Sequence, residues 1–197
     1  MPTPHSTDAP RPQGSSPASS WIKRWSHLVP PLGSVLDIAC GQGRHMQWFA
    51  EKGHRVIGVD RSPDAIQAAS NFGETVLTDI ENGPWPFMKD SLVRQFDAVI
   101  VTNYLWRPLF PLITQSVAPG GLLLYETFAQ GNETVGKPSR ADFLLHPAEL
   151  LQTFSTMTVV AFEEGFLENP SRFVQRIAAI QPGHQGDTQQ IPKRYAL

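Results

Sequence analysis

Six residues between positions 37 and 103 have the types from which a ligand site is built: the acids Asp37, Asp60 and Asp79, the glycines Gly41 and Gly43, and Asn103. Each acid, like Asn103, sits on or at the end of a short apolar run. Gly41 and Gly43 follow the first run directly. Lacking side chains, they let backbone come against a ligand and present N–H groups near a positive helix end, which favours an anionic ligand group. Asp37, standing in front of the glycines, would repel a pyrophosphate. A ligand carrying an α-amino group at that point accounts for it.

Three cofactor classes use such a turn. A phosphate-cradling loop needs Lys and then Ser or Thr after its last glycine, and here Gly43 is followed by Arg44-His45. A dinucleotide fold wants a third glycine where this chain has Met46, at a position that normally requires close packing of helix on strand. Taken singly, Asp60 also reads as a helix cap, and Arg61 beside it suits an NADP 2′-phosphate. Cys40 reads as a small packing residue, and His45, one turn into the helix, as structural.

The elements that must position these residues alternate. Strands are expected over 35–38, 56–59, 75–78, 96–101 and 122–127, the fourth an almost unbroken apolar run as in a strand covered on both faces. The helix after the glycines should run to about Lys52 and stop at a left-handed Gly53. The next starts at Ser62-Pro63-Asp64, a capping hydroxyl, a first-turn proline and an acid at the positive end. A helix is expected over 109–117, with Pro119-Gly120-Gly121 as a turn, and another beginning at Pro147 with Leu150, Leu151 and Phe154 inward. Gly83, Pro84 and Pro86 argue against regular structure in 81–90. The connection 129–142 is too long for a plain crossover, and is a functional suspect. Two last runs, 157–162 and 173–180, fit an antiparallel hairpin.

Ahead of all this, Ser19 or Ser20 caps a helix carrying Trp21, Ile22, Trp25 and Leu28 on one stripe, ended by Pro30-Pro31. Packing on the sheet is the favoured role, a lid over the ligand mouth the other. The expected architecture is α/β: a doubly wound, mostly parallel seven-stranded sheet with a C-terminal antiparallel hairpin and helices on both faces. The expected domain covers 21–181, between a Pro- and Ser-rich disordered tail over 1–20 and a flexible tail over 182–197. Right-handed crossovers bring Asp37, Asp60, Asp79 and Asn103 to one edge, where ligands of such sheets bind.

With those elements in place, Asp37-Ile38-Ala39-Cys40-Gly41-Gln42-Gly43 resembles the first motif of the class I S-adenosylmethionine-dependent methyltransferases, with Ala39 in place of the first glycine. The resemblance continues at Asp60, where the family has an acid for both ribose hydroxyls, and at Asp79-Ile80, beside the adenine edge. It extends to Asn103-Tyr104, near the methionine moiety and the reacting methyl, to Ala118-Pro119-Gly120-Gly121 and to the final hairpin, covering 33–180. It implies S-adenosylmethionine as cofactor, held by Asp37, Ala39, Gly41, Gly43, Asp60, Arg61, Asp79, Ile80, Asn103 and Tyr104. It implies no metal. The compact single-domain type grouped with the tellurite-resistance methyltransferases is broadly similar.

Methyl transfer from a sulfonium needs alignment and exclusion of water more than acid–base chemistry, and a base only where the acceptor must lose a proton. Catalytic candidates are therefore drawn from the ends of strands four and five and from the long loop: Tyr104, Arg107, Glu126 and His146, with Trp106, Asn132 and Arg140 beside them. Asn103-Tyr104-Leu105-Trp106 lacks the two prolines of the motif that exocyclic-amine DNA methyltransferases carry. The 197 residues, net charge of −2 and pI near 6.3 argue against binding nucleic acid by charge alone. A small-molecule acceptor leads; RNA or protein methylation is second, and an NAD(P)-linked or nucleotide-binding protein third. A single cysteine suggests a reducing compartment. No apolar run nears the roughly 20 residues of a membrane span, and the expected location is cytoplasmic.

Overall fold

The computed structural model describes residues 16–183 and 194–196. Most of the N-terminal tail and of the C-terminal tail expected from the sequence lie outside the described residues. Where they are described, both ends pack: Ser19 is buried, and Ala196 O lies 3.3 Å from His27 Nε2.

Five strands form the parallel part of the sheet: β1 (Ser34–Ile38), β2 (Arg55–Asp60), β3 (Glu74–Leu77), β6 (Phe96–Thr102) and β7 (Val117–Phe128). Two more, β8 (Thr158–Glu168) and β9 (Ser171–Ile180), close it as an antiparallel hairpin, giving the seven-stranded order β3-β2-β1-β6-β7-β9-β8. The chain reverses direction across the sheet between β1 and β6. That is the switch point at which doubly wound sheets hold ligands.

Each strand divides its side chains between two helical layers because successive residues point to opposite faces. Leu36 and Ile38 of β1, Ile57 and Val59 of β2, and Val99 and Val101 of β6 share one core with α4 (Phe110–Ser116) and α5 (Glu149–Thr153). Val35, Val56, Ala98 and Ile100 share the other with α1 (Ser20–Trp25), α2 (Arg44–Ala50) and α3 (Pro63–Ala69). Trp21, Ile22 and Trp25 are fully enclosed in this second core, so α1 packs on the sheet. Ser19 caps α1, and Ser62 caps α3 by accepting from Ala65 N–H at 3.3 Å.

Three local expectations need correction. The 81–90 stretch is not wholly irregular: Met88–Lys89 (β4) pairs with Leu92–Val93 (β5) across Asp90 and Ser91, both at positive φ, as a two-residue hairpin turn requires. Pro119-Gly120-Gly121 does not separate a helix from a strand. β7 runs through it, pairing Val117 with Phe96 and Leu122 with Ala98, so the extra residues form a bulge, the place a sheet tolerates proline. The last helix begins at Glu149 rather than Pro147, because Ala148 adopts a left-handed conformation immediately before it.

Close contacts around Met46 explain the missing third glycine. A Cβ at Gly58 of β2 would lie 2.3 Å from Met46 Sδ and 2.8 Å from Cys40 Sγ. The small residue that close helix–strand packing demands has moved from the helix to the strand.

Candidate active site

At the carboxyl ends of β1, β2, β6 and β7 two cavities meet. One, of about 330 Å³, is lined by Asp60, Arg61, Thr78, Asp79, Ile80 and Glu81 on one side and by Tyr104, Leu105, Phe128, Pro138 and Phe143 on the other. The second, of about 370 Å³, is lined by Ser16, Cys40, Gly41, Gln42, Arg44 and Thr102. Ala39 and Asn103 line both, and so mark the join. A larger cavity, about 610 Å³, opens near Ser34, Arg55 and Arg94, at the opposite ends of the strands. The paired cavities are the better candidate because they lie at the switch point.

The backbone at the join is strained. Ala39 and Asn103 have φ of 54° and 53°, in a region that side-chain-bearing residues enter at a cost of roughly 1 kcal/mol. The two glycines of the motif do different work. Gly41 (φ 54°) has open space where a Cβ would stand, so it leaves the second cavity clear. Gly43 (φ 82°) borders neither cavity among its lining residues: a Cβ there would come within 3.0 Å of Ala69 and 3.1 Å of Phe72, which makes it the contact between α2 and α3.

Asp60 ties the motif to β2. Its Oδ2 accepts from Gly41 N–H and its Oδ1 from Ser62 N–H, both at 2.9 Å, and each oxygen keeps a further lone pair. Asp79 accepts from Glu81 N–H and Asn82 Nδ2, each at 2.9 Å; the side-chain bond from Asn82 is the main reason its carboxyl sits below the usual range.

Asp37 does not border either cavity. It lies beneath them, 1% exposed, with neither carboxylate oxygen hydrogen-bonded by a described residue. Burial raises its pKa to about 8, against the opposing pull of Arg44. His45 Nδ1 is 3.9 Å away, but burial pushes the imidazole down to about 3, so the pair is a neutral polar contact and no ion pair. Arg44 immediately follows the last glycine, lines the second cavity, and lies 3.5 Å from Thr102 Oγ1. In the sequence Arg44 served only to exclude a phosphate-cradling loop and was not among the expected site residues. The available signal was a cation directly after the glycine turn.

The catalytic candidates separate by their partners. Tyr104 lines the first cavity with its hydroxyl buried beside Glu81; burial, then Glu81, holds its pKa above the usual phenol value. Arg107 is engaged instead: Nε and Nη2 donate to Glu149 at 2.7 and 2.9 Å, and the guanidinium also reaches Asp142 O and Leu144 O. Glu126 is fully buried, accepting from Ser19 Oγ at 3.0 Å, Arg172 at 3.2 Å and Arg176 at 3.4 Å, as a buried charge requires. His146 lies on the surface 2.8 Å from Gln130 Nε2. Trp106 packs at the rim of the core. Buried Asn132 donates to Pro138 O and accepts from Phe173 N–H, and Arg140 pairs with Asp142 in solvent. No cluster of side chains able to hold a metal occurs among the described residues.

Known proteins agree with this architecture. Residues 35–121 match the family model described as a methyltransferase domain. The chain is 32% identical over 114 residues to the ribosomal protein L11 methyltransferase of Burkholderia mallei, covering 55% of this chain and 36% of that one. It is 41% identical over 49 residues to the 2-heptyl-1-hydroxyquinolin-4(1H)-one methyltransferase of Mycobacteroides abscessus, covering 24% and 22%. The chain thus spans about half, or less, of the length of these curated relatives. The fold matches TehB from Haemophilus influenzae with a TM-score of 0.64 at 20% identity, over 82% of this chain and 61% of that one. The motif, the sheet order and the paired cavities agree with these matches: residues 35–121 are similar to a methyltransferase domain, and the chain has the fold of S-adenosylmethionine-dependent methyltransferases.

Proposed function

We propose that this protein transfers a methyl group from S-adenosylmethionine to a small molecule. The observation that carries the reading is the pair of cavities joined at Ala39 and Asn103, one with three acids and an apolar wall, the other with an open glycine and a cation. Asp60 accepts from the ribose hydroxyls, Asp79 and Ile80 border the adenine, Gly41 gives backbone access, and Arg44 receives the carboxylate of the methionine part. Asp37, buried behind the turn, supplies negative potential on the amino-group side once ionised. Ala39, Gly43, Arg61, Asn103 and Tyr104 shape the turn and the walls.

When bound, S-adenosylmethionine supplies an electrophilic methyl on a sulfonium, which a nucleophile takes as the sulfur keeps the bonding electron pair and becomes a neutral thioether. The residues at the strand ends orient the acceptor and exclude water. A base is needed only for an acceptor that must shed a proton. Tyr104, the catalytic candidate that lines the first cavity, orients rather than deprotonates, because burial and the neighbouring Glu81 keep its phenol protonated at neutral pH. The names of the two curated relatives divide between a protein and a small quinolone. The modest volume of the first cavity, about 330 Å³, supports the small molecule.

A thermal-shift comparison tests the proposal against an NADP reading of Arg61. S-adenosylmethionine at about 1 mM raises the melting temperature through preferential binding to the folded state, while NADP at the same concentration leaves it unchanged. A rise with NADP alone overturns the proposal.

A further inference from the structure

The first cavity has two chemically distinct sides. One carries Asp60, Asp79 and Glu81 against Arg61; the other is Leu105, Phe128, Pro138 and Phe143, with Tyr104 and Thr127. No charged residue lines the second side. The arginines nearest to it along the chain are engaged: Arg107 with Glu149 and two loop carbonyls, Arg140 with Asp142 while its guanidinium lies 5.1 Å from the Phe143 ring centre. A charged acceptor group set there would lose its water and meet only cations that already have carboxylate partners, Arg107 with Glu149 and Arg140 with Asp142. An anion would also meet a net negative lining across the cavity.

The apolar side is built to keep its shape. Asn132 holds Pro138 O at 2.9 Å, and its Oδ1 is fixed by Phe173 N–H. Arg107 grips the carbonyls of Asp142 and Leu144, the residues on either side of Phe143. Leu145 N–H donates to Phe128 O at 3.0 Å, tying the far end of the loop back to β7. The long connection is therefore a fastened wall, and Phe143, 37% exposed, stands where that wall meets solvent. Aromatic rings gain most from flat partners stacked or set edge-on.

From this we infer that the acceptor is an uncharged, planar aromatic molecule seated against Phe128 and Phe143, with Arg107 and Asn132 as positioning residues for that wall. The inference rests on the proposed function, since it assigns the acceptor side of the same cavity.

The test is calorimetry in two stages on the full chain. S-adenosylhomocysteine is titrated first. The loaded protein is then titrated with 1-naphthol, an uncharged planar probe, and separately with 1-naphthoate, its anionic analogue. The expected result is saturable binding of 1-naphthol, at least tenfold weaker binding of 1-naphthoate, and a loss of about fivefold or more for 1-naphthol in Phe143→Ala, with the first titration unchanged. Phe143 is exposed enough for this variant to fold, and its S-adenosylhomocysteine affinity verifies that. Normal S-adenosylhomocysteine binding followed by no 1-naphthol binding, by equal binding of the two probes, or by an unaltered Phe143→Ala affinity overturns the inference alone. Absence of S-adenosylhomocysteine binding overturns the proposed function and this inference with it.

Discussion

Gly41 N–H donates to Asp60 Oδ2 at 2.9 Å, joining the glycine turn after β1 to the last residue of β2. One carboxylate thus holds the turn in shape and, through its remaining lone pairs, is free to accept from a ligand. Ser62 N–H takes the other oxygen, so Asp60 also fixes the entry to α3. Asp60→Ala removes all of these acceptors. It should weaken S-adenosylhomocysteine binding by about 30- to 100-fold, equivalent to about 2–3 kcal/mol, as read by calorimetry. An affinity within twofold of the parent would remove Asp60 from the site.

A buried acid at Asp37 makes stability depend on pH. Its folded pKa of about 8 lies above the ordinary 3.8 of an aspartate, so its contribution is full below about pH 4, is lost as pH rises towards 8, and is constant beyond. His45 has the opposite sign: its folded value of about 3 lies below 6.5, so its contribution is present above pH 6.5 and is lost as pH falls towards 3. Asp37→Asn should therefore stabilise the ligand-free protein at pH 7 by about 1–3 kcal/mol, the charge penalty being partly replaced by that of an unpaired amide. Urea unfolding between pH 5 and 8 should show a parent stability that is nearly flat to about pH 6.5, where the two contributions oppose, and falls from there to pH 8, whereas the variant rises to about pH 6.5 and then levels. Parallel curves contradict the assignment.

Gly58 and Met46 share one space, so their substitutions are coupled. Gly58→Ala forces a methyl towards Met46 Sδ and should cost about 1–3 kcal/mol by overpacking. Adding Met46→Ala should recover part of that loss, although Met46→Ala alone destabilises by opening a cavity. A double-mutant cycle in urea with no coupling would break the proposed exchange of a small residue between helix and strand.

Arg107 is predicted to serve the wall and not the cofactor. Arg107→Ala should lower stability by about 1–3 kcal/mol and weaken 1-naphthol binding to the loaded protein by about tenfold, leaving S-adenosylhomocysteine affinity within twofold. Arg107→Lys keeps a charge for Glu149 but not the fork that reaches both carbonyls, so it should lie between the two. Equal losses of both affinities would mean a general structural role.

The sheet was legible because its strands are short apolar runs stopped by Asp or Asn, and the caps at Ser19 and Ser62 carry their own local chemistry. The β4–β5 pair was hidden because two-residue strands have no periodicity, and the passage of β7 through Pro119-Gly120-Gly121 because a bulge and a turn use the same residues. Site residues on strand ends were legible for the same topological reason. The engagement of Arg107, Glu126 and Asn132 was not, because their partners lie tens of residues away along the chain. Gly43 looked like a ligand contact and meets α3, a distinction that depends on where Ala69 and Phe72 fold back.

The central claim is that the joined cavities at Ala39 and Asn103 hold S-adenosylmethionine. Calorimetric titration with S-adenosylhomocysteine, which carries the same adenosine and amino-acid groups, tests it most directly. Saturable one-to-one binding with a Kd in the micromolar range, about −7 to −8 kcal/mol, is the predicted result. No heat at about 1 mM ligand, with the protein shown to be folded, would contradict it.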